Sequence, residues 1–109
     1  MGLTKSEIFT SKQNRLALLF KALAHPARMA IIQQLLKMDT CFCGDLVSEL
    51  GLAQSTISQH LLELKKAGLI KGTVEGVSVC YCIDEKTWNN VKSEVESLFI
   101  SCSVKNKCC

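Results

Sequence analysis

The apolar residues of this chain repeat at three-to-four spacing as far as Leu64, and at a spacing of two from Val77 onward. That change of period limits the fold more than any other feature, because a helix and a strand demand different patterns. In "SKQNRLALLFKALA", residues 11–24, Leu16, Leu19, Phe20 and Leu23 share one helical face. His25-Pro26 interrupts it, and Pro26 suits the first position of a second helix through "ARMAIIQQLLK", with Met29, Ile32, Leu35 and Leu36 inward. Asp39-Thr40 reads as a loop.

A short helix is expected over 44–50, with Leu46, Val47 and Leu50 inward and Gly51 as its stop. The next helix starts at Gln54 or Ser55, buries Ile57, Leu61 and Leu64, and ends at Ala67-Gly68. Two helices joined by a tight glycine-containing turn make a helix-turn-helix. From Leu69, "LIKGTVEGVSVCYCI" reads as a β-hairpin with its tip at Glu75-Gly76 and Val77, Val79, Tyr81 and Ile83 alternating.

Asp84 is a suitable N-cap for a final helix, "EKTWNNVKSEVESLFISC". There Trp88, Val91, Val95, Leu98 and Cys102 form the narrow stripe of a helix that seeks a partner helix. The fold class is therefore mainly α with a small β-hairpin: a single winged helix-turn-helix domain over 1–109. It divides into an N-terminal arm (1–10), the helix-turn-helix (44–67), a wing (69–83), a dimerisation helix (84–102) and a cysteine-containing tail (103–109). A homodimer through the first and last helices is expected, with Leu16, Leu19, Trp88, Val91, Val95 and Leu98 at its interface.

At 109 residues and 48% hydrophobic, the chain can bury one modest core. Its net charge of +3 permits nucleic-acid binding without demanding it. No run of about 18 apolar residues occurs, so no membrane partner is expected. The polar start "MGLTKSEIFTSKQNR" lacks a signal-type apolar run, which makes the cytoplasm the expected location. The seven cysteines then read as buried small residues, redox sensors or soft-metal ligands rather than a disulfide framework.

The most specific stretch is "AQSTISQHLLELKKAGLI", residues 53–70. Gln54, Ser55, Thr56, Ser58 and Gln59 are short uncharged donors and acceptors near a helix N-terminus, away from Ile57 and Leu61. An ordinary solvated face carries Glu and Lys instead, so the pattern points to readout of double-stranded operator DNA. Lys66, with Lys65, and Lys71 are available for phosphates. His60 can donate to a phosphate or pack against the neighbouring helix, and His25 reads as a cap or loop residue.

These motifs resemble the ArsR/SmtB family of bacterial metal-responsive repressors. The resemblance rests on "LFKALAHPARMAIIQQL", "CGDLVSELGLAQSTISQHLLELKKAGLI" and the wing "VEGVSVCYCI", and covers most of residues 16–83. It implies a homodimeric winged-helix repressor that leaves its operator when an inducer binds, and no enzyme. The wing departs from the family habit of a basic tip, offering Glu75-Gly76-Val77-Ser78.

A zinc-type site on the last helix needs histidines, and that helix has none. Sulfur is left. In "TCFCGDL" Cys41 and Cys43 precede a helix start, where the chain is not regularly helical and a thiolate is favoured. The similarity is greatest to arsenic sensors, and implies trivalent arsenic or antimony as inducer, with other soft ions open. The family's Cys-x-Cys-x-x-Cys is incomplete, because residue 46 is Leu46. Cys102, Cys108 and Cys109 resemble the C-terminal trio that some such sensors use. Cys80 and Cys82 are expected to be packed small residues on the strand face opposite Val79, Tyr81 and Ile83. Two alternatives stay open: a thiol or persulfide sensor of the same fold, and a soft-metal buffer protein, which leaves "AQSTISQHL" unexplained.

Overall fold

The computed structural model describes residues 8–37, 46–75 and 78–101. Helix α1, Ser11–Leu23, opens with a capping box: the Thr10 hydroxyl accepts from the Gln13 N–H, and the Gln13 side chain accepts from the Thr10 N–H. Helix α2, Pro26–Leu36, begins one residue after His25, whose Nδ1 accepts from the Ala27 N–H at 3.0 Å. His25 is thus the cap that the sequence suggested, and Pro26 costs no hydrogen bond at a first-turn position. Helix α3, Leu46–Leu50, and helix α4, Gln54–Lys66, follow. The expected start of α3 at 44 lies outside the described residues.

Two glycines set the turns. Gly51 takes a positive φ of 70° after α3, and its N–H donates to the Val47 carbonyl. Gly68, at φ 81°, closes α4. There the Leu69 N–H donates to the Leu64 carbonyl and the Gly68 N–H to that of Lys65, the two bonds of a Schellman motif. Leu64 and Leu69 are both fully buried, which supplies the apolar contact that accompanies it. The end of α4 is therefore anchored twice before the chain turns into the hairpin.

Strands β1, Ile70–Glu75, and β2, Ser78–Ile83, pair antiparallel from Ile70 opposite Ile83 to Glu75 opposite Ser78. The pairing includes Glu75, so the connection is residues 76–77, one position beyond the tip expected from sequence. A glycine at the first of two connecting positions suits a hairpin loop of that length. At its foot the Asp84 N–H donates to the Leu69 carbonyl at 2.9 Å. The Asp84 carboxylate then caps helix α5, Glu85–Ile100, by accepting from the Thr87 N–H.

The core joins Leu19 and Ala22 of α1, Ile31, Ile32 and Leu35 of α2, Leu46 of α3, Ile57, Leu61 and Leu64 of α4, Leu69 and Ile70, and Val91 of α5. Burying a side chain of this size contributes about 1.5–3 kcal/mol. Met29 and Leu36, expected inward, are exposed, whereas Ile31 is fully buried. The apolar surface of α2 is broader than the face its neighbours cover, and periodicity alone could not select the buried part.

The hairpin differs from the simple alternation too. Val79 is exposed and Cys80 fully buried. Tyr81 and Ile83 pack on the core from one face, so Cys80 and Cys82 stand on the other. Both cysteines are in disulfide bonds, which corrects the expectation of packed, unbonded thiols. Sequence placed them on one face but could not reveal what that face meets.

Candidate nucleic-acid interface

Helix α4 is held by Ile57, Leu61 and Leu64, which fix its rotation as well as its place. Gln54, Ser55, Thr56, Ser58 and Gln59 consequently point to solvent, as the sequence pattern required. The Gln54 side-chain amide donates to the Ser58 hydroxyl at 3.2 Å, and the Gln59 amide donates to the Glu63 carboxylate at 3.3 Å. Each pair lies four residues apart, so the bonds run along the helix and hold the row in a common orientation. Amides held by such exposed contacts are easily released to a base edge.

The N-cap of α4 is Ala53, which has no side-chain acceptor for the first-turn N–H groups. Those groups and the positive end of the helix dipole face the same side as Ser55 and Thr56, an arrangement suited to a phosphate. Lys65 and Lys66 are exposed in the last turn of the helix, where they also complement its dipole. The Lys65 ammonium lies beside Gly72 of β1, and Lys71 is exposed on the same strand. Helix end and wing strand thus present cations close together.

His60 is partly buried, with its ring 4.3 Å from that of His25 and tilted 50° to it. Burial lowers its pKa, and the neighbouring His25 and Arg28 add to that effect. The structure therefore places His60 at the junction of α1 and α2, against the α2 cap.

Sequence reading missed a basic cleft of about 210 Å³ lined by Lys21, Arg28, Glu63 and Lys66, with Leu18 and Ala22. Its cations come from three helices, so no local motif announces them. The six DNA-side positions Gln54, Ser55, Thr56, Ser58, Gln59 and Lys66 share one helix, and Lys71 joins them from the wing.

The proposed dimer residues are placed unevenly. Leu19 and Val91 are buried in the chain's own core; Leu16, Trp88 and Val95 are partly buried; Leu98 is exposed. An Arg15–Glu94 ion pair ties α1 to α5. Beyond it Leu98, Phe99 and Ile100 are 53%, 69% and 76% exposed, with Ile8 and Phe9 also exposed at the start of the described chain.

The sulfur positions Cys41, Cys43, Cys102, Cys108 and Cys109 lie outside the described residues. Among the described residues no three or more His, Cys, Asp or Glu side chains come together as a metal cluster, and no helix is long and apolar enough to cross a membrane.

A family model described as "Bacterial regulatory protein, arsR family" matches residues 25–71, from the α2 cap to the start of the wing. The HTH-type transcriptional regulator CmtR of Mycobacterium tuberculosis (strain H37Rv) is 32% identical over 97 residues, covering 89% of this chain and 81% of that protein. Among solved structures, HlyU from Vibrio cholerae N16961 superposes with a TM-score of 0.66 at 32% identity, over 83% of this chain and 94% of that one. The NMR structure of "the cadmium metal-sensor CMTR" from Mycobacterium tuberculosis gives a TM-score of 0.52 at 43% identity, over 62% and 69% respectively.

Proposed function

Because the chain belongs to the ArsR family of bacterial regulatory proteins, whose members are helix-turn-helix transcriptional regulators and not enzymes, we propose that it is a homodimeric repressor released from its operator by a soft metal or metalloid ion. The observation that carries the DNA half is the exposed, uncharged polar row Gln54, Ser55, Thr56, Ser58 and Gln59 on a helix whose other face is locked in the core. Gln59 and Ser58 read base edges; Lys66 and Lys71 hold phosphates, as do the first-turn N–H groups of α4. His60 supports the helix from behind and donates to a phosphate only at its edge. A two-fold dimer presents its two reading helices about 34–36 Å apart, to a pseudo-palindrome.

The inducer half rests on sulfur chemistry. Trivalent arsenic or antimony takes three thiolates, offered by Cys41 and Cys43 with a tail thiol from Cys102, Cys108 or Cys109. The similarity to a protein described as a cadmium sensor supports a soft ion of some kind. A second reading, a thiol-redox repressor, is favoured by one observation: Cys80 and Cys82 are disulfide-bonded.

One experiment separates them. Operator fragments selected from random DNA are bound by the reduced protein, then challenged in parallel with arsenite, antimonite, cadmium or a disulfide oxidant. Release by an ion under reducing conditions supports the metal reading. Release by oxidant alone supports the redox reading, and failure to select any preferred sequence overturns the repressor itself.

A further inference from the structure

The two described cysteines sit at i and i+2 of β2, on the face turned away from the hydrophobic cluster, and both are disulfide-bonded. Side chains two apart in a strand stand roughly parallel with Cα atoms about 6.6–6.8 Å apart. A disulfide needs Cβ atoms about 3.5–4.5 Å apart, so Cys80 and Cys82 are poorly set to bond each other. Strand β1 offers no thiol: the register puts Thr73 opposite Cys80 and Lys71 opposite Cys82. Each sulfur therefore meets a cysteine from another segment, and the rest of the chain contains Cys41, Cys43, Cys102, Cys108 and Cys109.

Chain reach separates these. Helix α5 starts at the foot of β2 and has 16 residues, a length of about 24 Å, and Cys102 follows its far end. Cys108 and Cys109 must return over that distance with seven or eight residues, which suffices only at nearly full extension, about 3.3–3.6 Å per residue. Cys43 instead lies three residues before Leu46, within about 10 Å of it. Leu46 and Val47 share a cleft of about 270 Å³ with Val79 and Tyr81, the two neighbours of Cys80 in β2. The near pair in sequence space is thus Cys41-Phe42-Cys43.

We infer that Cys80 and Cys82 of the wing strand are ligands of a four-thiolate centre for a soft divalent cation, closed by Cys41 and Cys43. The proposal rests on the metal-responsive reading above and replaces its tail thiol by the wing pair. Two Cys-x-Cys units present four sulfurs, the donor set of a tetrahedral thiolate site. A thiol reductant opens the disulfides: each takes two electrons and two protons and yields two thiols. The cation then displaces thiol protons as it binds. Because β2 runs into the cap of α5 and pairs with β1 at the end of α4, an ion at this face acts on the reading helix and on the last helix together.

Cadmium titrated anaerobically into the full-length reduced chain tests this, read by ultraviolet thiolate-to-cadmium charge transfer, which grows with the number of thiolates bound. The wild type is expected to take one cadmium per chain at four-thiolate intensity. The C80S/C82S double variant should lose about half of that intensity and bind roughly 100-fold more weakly, ~2.7 kcal/mol. The C102S/C108S/C109S variant should match the wild type. Because Cys80 is fully buried, C82S alone, at a partly buried position, serves as the second variant, and it should lose about a quarter of the signal with its thermal melt retained. Wild-type intensity and affinity in both C80S/C82S and C82S overturn the wing site. If C102S/C108S/C109S loses the signal instead, the tail site stands and this inference falls. If the wild type itself takes up no cadmium, the inference and the metal reading fall together, while the DNA reading stands on its selected operator.

Discussion

Helices α4 and α5 carry apolar stripes of similar spacing and use them differently. In α4, Ile57, Leu61 and Leu64 are all buried within the chain, so everything left outside is polar. In α5 the stripe fades along its length: Val91 is buried, Trp88 and Val95 are partly buried, and Leu98 is exposed, followed by Phe99 and Ile100. One helix has spent its apolar face on its own core and offers a polar row to DNA. The other keeps an apolar end in water, as a partner-seeking helix does. Equal periodicity therefore says nothing about whose surface will cover a stripe; position in the fold does.

The comparison breaks most visibly in stability. Leu64→Ala should cost about 2–5 kcal/mol in denaturant unfolding, because it empties a fully buried site. Leu98→Ala, measured with the protein dilute enough to be monomeric, should stay within about 0.5 kcal/mol of wild type. Equal losses at the two positions would mean that α5 is not the unspent helix.

Operator binding comes next in size. Ser58→Ala and Gln59→Ala should each lower specific affinity by about 1–3 kcal/mol, with binding to random DNA unchanged in a competition assay. If both variants keep operator preference, the polar row of α4 is not the reading face. Leu98→Asp sharpens the other side: sedimentation should show self-association weakened at least tenfold, ~1.4 kcal/mol, while Ile57, Leu61 and Leu64 keep the monomer folded. A wild-type chain that stays monomeric at micromolar concentration would remove the dimer.

Lys66→Ala should weaken specific and random DNA alike and lower the salt slope by about 1. The smallest effect concerns His60, whose pKa is lowered chiefly by burial. The unfolded chain then holds the proton more readily than the folded one, so this contribution to stability is present above about pH 6.5 and is lost as pH falls through the lower folded value. Unfolding compared at pH 7.5 and 5.5 should show a drop in the acid that His60→Gln reduces. An unchanged drop would assign the acid sensitivity to another group.

Much of this molecule was legible in its residues because the deciding interactions are local. Pro26 and the His25 cap, the Gly51 and Gly68 turns, the Asp84 cap and the solvent-facing row of α4 each depend on neighbours within about one turn of helix. The winged helix-turn-helix order followed from them, and the resemblance to the ArsR family came from the same stretches. Hairpin register was read one residue short, because the end of pairing depends on the opposing strand.

What sequence determined by itself is the alphabet of faces: which positions are apolar, which helices start and stop where, and which surface is free of charge. Tertiary structure alone decided what each face meets. It buried Leu19 and Val91 in the chain's own core, left Met29 and Leu36 outside, and stacked His60 on His25. It gathered Lys21, Arg28 and Lys66 around one cleft, and turned Cys80 and Cys82 from packed residues into bonded ones. The physical reason is one of range. Periodicity records the polarity of a surface residue by residue, whereas burial, stacking and sulfur contact require two segments to arrive at the same place, and their separation along the chain carries no mark of that meeting.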